Sequence, residues 1–252
     1  FFIGEANLRR SVLEYFTNSS GETMFAADHI VNVFAIEHTG LVYDLHYHMA
    51  YPQEDPMNVN NPLPPSTRAF NYGVPDVPYA ILNGGASSAY RFNMTPPVGQ
   101  INEEVLIESS LESPIFELFL TVDYREDSLK GKATIVCLDQ NFSSYLQLYV
   151  VLVEKEVSSY YWLNQDSSFR NVVLDILPSV AGKLLGNNWA SESTSEIEFA
   201  WKYAGYLEDM KDLSVVAFVQ DRESGSILQA AAEPHTFAVA VPQDKIASPG
   251  MF

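Results

Sequence analysis

With 32 acidic and 14 basic side chains among 252 residues, the chain carries a formal charge of −18, which repels phosphate backbones and argues against nucleic acid as a partner. Its 47% hydrophobic and 13% aromatic residues supply material for two ordinary cores, so two domains are expected. The single cysteine, Cys137, excludes an intrachain disulfide, and no apolar run reaches the ~18–20 residues that span a bilayer.

Residues 1–113 mix strand and helix patterns. Ser11 to Phe16 is a short β-rich run. Met24, Ala27, Val31, Phe34 and Ala35 then recur at helical spacing, with Ser19 and Glu22 placed as a capping box. Leu41 to His48 is a second strand, and the β-α-β order predicts a parallel pair with a right-handed crossover. The Pro- and Asn-rich stretch from Pro52 to Pro65 reads as a loop, Ser66 to Tyr72 as a short helix, and Tyr79 to Asn83 as a third strand before the Gly84-Gly85 turn. Pro97 to Leu111 reads as a closing amphipathic helix.

After Ser113-Pro114 the rhythm changes to strand after strand. Phe116 to Tyr124, Lys132 to Leu138, Leu146 to Leu152, Arg170 to Leu177, Ile197 to Tyr203, Ser214 to Gln220 and Ser226 to Ala232 are seven short strands, the set expected of an antiparallel β-sandwich of immunoglobulin-like size over 114–235. Residues 236–252 read as a tail or linker.

Leu13-Glu14-Tyr15-Phe16-Thr17-Asn18, His46-Tyr47-His48, the loop at Asp55-Pro56, Tyr72 to Pro78, and the later Val215 to Asp221 with Ile227 to Ala230 together resemble the Omp28-related outer-membrane proteins of Bacteroidota. The resemblance covers most of the chain. It implies a thioredoxin-like domain at 1–113, an immunoglobulin-like sandwich at 114–235, and export to the outer membrane or cell surface. A signal peptide or lipid anchor ahead of Phe1 belongs to the same expectation. It also implies a cis peptide at Val77-Pro78, with Pro75 as the competing position.

In that fold the turn after the first strand should carry Cys-x-x-Cys, but Gly21 and Met24 stand there. Thiol–disulfide exchange needs a thiolate at that helix start, so this chemistry is excluded and no catalytic residue is assigned. What remains is the groove: Ser20, Gly21, Met24, His48, Val77, Pro78 and Tyr79 are expected to converge and hold a protein or peptide, within an outer-membrane assembly and without a cofactor.

Asp44, His46 and His48 alternate onto one strand face. His-x-His spacing suits zinc and leaves a metal-dependent enzyme at this edge as the alternative; hydrogen-bonded histidines, with His48 at the groove rim, are the simpler expectation. The Ser19-Ser20 turn with His46, His48 and Asp28 lacks a nucleophile-elbow pattern, and the serines read as helix caps. Cys137, in Ile135 to Leu138, is expected to be buried. Tyr160-Tyr161-Trp162 and Trp189 fall in sandwich loops, either as a contact surface or as packed hairpins.

Overall fold

The computed structural model describes residues 8–20, 22–95, 100–138, 141–158 and 169–233. In chain order these form β1 (Ser11–Thr17), α1 (Glu22–Glu37), β2 (Val42–His48), α2 (Pro56–Asn60), α3 (Leu63–Tyr72), β3 (Tyr79–Leu82), β4 (Arg91–Asn93), α4 (Glu103–Leu111), β5 (Phe116–Tyr124), β6 (Ser128–Cys137), β7 (Leu146–Val157), β8 (Phe169–Leu177), β9 (Lys183–Leu184), β10 (Thr194–Lys202), β11 (Leu213–Asp221) and β12 (Ile227–Glu233). The fold is β-rich, with few helices. Among the described residues no helix is long and apolar enough to cross a membrane.

Two sheets organise the chain. The larger runs β12-β11-β7-β8-β2-β1-β3-β4, with β9 beside β7; the smaller runs β10-β6-β5. β1 and β2 are parallel, and α1 provides the crossover between them. β3 lies antiparallel to β1 and β4 antiparallel to β3. The join to the later strands is narrow: β2 meets β8 in parallel at His46 and Val172. The large sheet also curls, so that Arg10 N–H donates to Gln229 Oε1 at 2.9 Å and the Arg9 guanidinium to the Ile227 carbonyl at 2.7 Å, bringing β12 beside the start of β1.

The curl explains the core. β7 and β11 are buried along almost their whole length because both their faces are covered. On one face Leu146, Leu148, Val150, Leu152, Val215, Ala217 and Val219 pack against Phe116, Leu118, Leu129, Ile135 and Cys137 of the small sheet. On the other, Tyr149, Val151, Val153, Val216 and Phe218 share a cluster with Val12, Phe16, Leu45, Tyr47, Ala69 and Tyr72. That second cluster draws on residues from both sides of position 113.

Three sequence expectations need correcting. The stretch from Pro52 to Pro65 is not an irregular loop: it holds α2 and the start of α3. Asp55 caps α2, accepting from Met57 and Asn58 N–H, with Pro56 in the first turn where its missing N–H costs nothing. Prolines likewise open α3, and Gly73 at φ +60° closes it in the left-handed conformation that suits glycine. The capping box fails as well, since Ser19 Oγ is buried without a hydrogen-bond partner while Ser20 turns back to Asn18 Oδ1. The closing helix begins at Glu103, capped by Asn102, and the unforeseen β4 precedes it. Of the two readings open for Trp189 the packed one holds: it is 5% exposed, stands edge-on to Phe116 at 5.4 Å and donates to the Gly186 carbonyl.

Tyr160-Tyr161-Trp162 and the expected tail at 236–252 lie outside the described residues. Cys137 is fully buried, as its apolar neighbours suggest.

Candidate functional site

Register brings the expected groove to one end of the large sheet. Tyr15 pairs with His46 and Thr17 with His48, while Phe16 pairs with Tyr79. The end of β1, the end of β2 and the turn entering β3 therefore lie side by side. Val77-Pro78 is cis, at the expected position; Tyr51-Pro52 and Leu177-Pro178 are cis too.

The predicted residues do not form one open surface. Met24 and Val77 are each 4% exposed and join an apolar cluster with Phe16, Tyr47 and Met49, on which the half-buried Tyr51, Val74 and Tyr79 pack. Pro78 is buried, Ser20 is half-buried and Gly21 lies outside the described residues. Backbone groups at the turn are already engaged: Val77 N–H is held by Asp76 Oδ1 at 2.9 Å, and the Pro78 carbonyl accepts from Met94 N–H at 3.1 Å.

His48 lies on the opposite face of β2 from Tyr47, by strand alternation. It is not at a rim: it is 2% exposed and set edge-on to Phe169 at 5.2 Å. Its Nδ1–H donates to Asp55 Oδ2 at 2.9 Å, and its Nε2 is buried without a partner. The same Asp55 oxygen accepts Ser19 N–H at 2.8 Å, while Oδ1 accepts Met57 N–H at 2.9 Å. Asp55 thus ties the end of β1, the end of β2 and the start of α2. Burial works against its carboxylate, but the His48 ring and the two amides outweigh it and hold the acid below its ordinary value.

Further along the same face, His46 Nε2–H donates to Asp44 Oδ2 at 3.0 Å. Burial opposes the Asp44 charge too, and His46 more than compensates, so this acid is also lowered. Asp28 of α1 goes the other way, its pKa raised by burial although Thr17 Oγ1 donates to it at 2.9 Å.

Chemically this is a row of histidines held by carboxylates. An Asp–His pair orients an imidazole as a general base would need, but Ser19 Oγ and His48 Nε2 are each unpartnered and so do not bond one another. No group of three or more His, Cys, Asp or Glu side chains able to hold a metal occurs among the described residues, and both histidines face single carboxylates instead.

A second buried network went unforeseen. Arg68 of α3 makes a two-pronged ion pair with Glu14 of β1 and donates to Gln220 Oε1 of β11 at 3.2 Å, with Tyr72 bonded to both members of the pair. The guanidinium stacks over Tyr149 at 4.3 Å. The available signal was a glutamate inside an otherwise apolar strand, which needs a buried cation.

No family model matches the sequence, and no curated protein matches it. Among solved structures, HBP35 of Porphyromonas gingivalis is similar at a TM-score of 0.67 and 18% identity, over 96% of this chain and 81% of that one. A domain of the outer membrane lipoprotein Omp28 from the same organism matches 48% of this chain and 88% of its own length at 14% identity, with a TM-score of 0.33, too low to carry an argument. The chain thus shares the overall fold of HBP35 along nearly its whole length.

Proposed function

We propose that this is a non-catalytic protein of the cell envelope, a thioredoxin-like domain without redox cysteines joined to an immunoglobulin-like sandwich, acting by binding a protein partner. The β4-β3-β1-β2 order with α1 as crossover supports the first half of that reading, and the β10-β6-β5 sheet facing the antiparallel β12-β11-β7-β8 strands supports the second. The sequence resemblance to Omp28-related outer-membrane proteins supports the envelope setting, and the fold shared with HBP35 supports the architecture alone.

The observation that carries partner binding is the outer face of α3. Leu63 and Phe70, two turns apart on one face, are 65% and 86% exposed, and Val59 of α2 is 60% exposed, while Ala69 and Tyr72 on the inner face are buried. A short helix that presents large apolar side chains to water on one side and packs on the other has the form of a docking element. It leads through Gly73 and Val74 directly into the Val77-Pro78 turn and the half-buried Tyr79. The partner surface is therefore the α3 face together with the Tyr79 edge, not a deep groove lined by His48.

The test is capture from envelope extract by the intact chain and by Phe70→Glu and Tyr79→Asp variants that melt normally. Loss of one defined band in the variants supports the reading; equal recovery of every band from all three proteins contradicts it.

A further inference from the structure

We propose that the cleft between α3, the Gly84 to Arg91 segment and the β11–β12 turn binds an acidic sugar through its carboxylate. The cleft encloses about 730 Å³ and lies where the early strands meet the later ones, a usual place for ligand sites.

Its charge is the first observation. In a chain of net charge −18, two guanidinium groups line this cleft without an acidic partner among the described residues. Arg91 is braced by Nε–H to the Gly85 carbonyl and Nη1–H to the Tyr72 carbonyl, each at 2.8 Å, which leaves Nη2 without a hydrogen bond. Arg222 is exposed on the β11–β12 turn, and its side chain makes no hydrogen bond or ion pair among the described residues. The acids at hand are committed elsewhere. Asp221 accepts from the Ser144 and Ser224 hydroxyls and from the Glu223 and Ser224 amides, and Glu14 beneath the floor is paired with Arg68. Arg91 Nη2 and the free guanidinium of Arg222 line the same cleft, and each can give a charge-assisted hydrogen bond to a carboxylate oxygen.

The walls give the rest of the ligand. Thr67 and Asn71 on α3 line the cleft with no side-chain hydrogen bond among the described residues, and a hydroxyl and an amide suit the hydroxyls of a sugar ring. A peptide would instead need an apolar socket for an anchoring side chain. The aromatic rings at the floor, Tyr72 and Tyr149, are buried and covered by Arg68, and Leu184 at the rim is 48% exposed. The cleft is also held open by its backbone: a side chain at Gly84, which sits at φ +80°, would strike the Gly225 carbonyl at 1.9 Å, so the two turns touch and fix its mouth.

Calorimetry on the full chain at low ionic strength tests this, with a galacturonic acid disaccharide, its methyl ester and an acidic tetrapeptide as probes. The acid disaccharide should bind, with affinity falling about tenfold in Arg222→Gln and in the methyl ester for each charge-assisted pair lost. Arg222→Gln sits on an exposed turn and leaves the melting curve unchanged; Arg91→Gln is the second variant. The proposal is overturned if the acid sugar gives no binding, if the ester binds equally, if both variants bind like the parent, or if the acidic peptide binds in preference.

Discussion

Arg68 and Glu14 face each other through two hydrogen bonds of 2.8 and 2.7 Å, with both side chains essentially out of contact with water. The pair joins α3 to β1, and through Gln220 and the Tyr149 ring it reaches β11 and β7. Burial opposes the Arg68 charge, and Glu14 outweighs it, holding the guanidinium firmly protonated. Breaking one member leaves the other charged and unpaired. Arg68→Ala is therefore expected to destabilise the chain by about 3–5 kcal/mol, whereas the double change Glu14→Leu with Arg68→Met recovers most of the loss. Urea titration of the three proteins checks this; a double variant no better than the single one contradicts it.

Asp55 supports three backbone segments, so its removal should be felt well beyond one helix cap. Asp55→Ala is expected to cost about 2–4 kcal/mol, from a lost cap on α2 and from the buried Ser19 amide and His48 ring left unpartnered. Because the folded acid is held below its ordinary value, its contribution is present above the unfolded carboxyl range and is lost as pH falls through the folded value. Melting temperatures of parent and variant should therefore converge in strong acid and separate at neutral pH.

Glu154 of β7 has the opposite sign. It is 1% exposed and accepts from the Glu208 and Asp209 amides at 2.7 and 3.0 Å. Burial, with Glu208 and Asp212 adding to it, pushes its carboxyl from 4.5 up to about 7. Between those values the folded state holds a proton that the unfolded chain has released, so stability from this group declines as pH rises through that window. Glu154→Gln keeps an oxygen for both amides and carries no charge. The variant should match the parent near pH 5 and exceed it by roughly 1–3 kcal/mol at pH 8. A constant difference across that range contradicts the assignment.

Cys137 sits fully buried on β6 in the core between the two sheets. Labelling by a thiol reagent should follow unfolding and be slow in native buffer. Rapid modification of the folded chain would remove it from the core.

What the sequence made legible follows from how local each signal is. β1, α1, β2 and β3 could be read because strand alternation, helical spacing and the proline before Tyr79 are written within a few residues. Around α2 and α3 the prolines look like breakers in sequence but stand in first turns, where they favour a helix. In β7 Leu146, Leu148, Val150 and Leu152 alternate toward one core, while the intervening Tyr149, Val151 and Val153 fill a second core made by the curl of the sheet, which no local pattern announces. The burial of His48 is not written in its strand, because Phe169 and Asp55, which enclose it, come from elsewhere in the chain. Arg68 lies 54 positions from Glu14 and 152 from Gln220, so their meeting could not be read from spacing.

The proposed partner surface spans α3 and the Tyr79 edge. A photo-reactive side chain is placed at Phe70, at Tyr79 and at Phe119, which is 52% exposed on β5 of the smaller sheet, and each protein is irradiated in envelope extract. The account predicts one discrete adduct shared by positions 70 and 79 and absent at 119. An adduct at 119 alone, or none at 70 and 79, would contradict it.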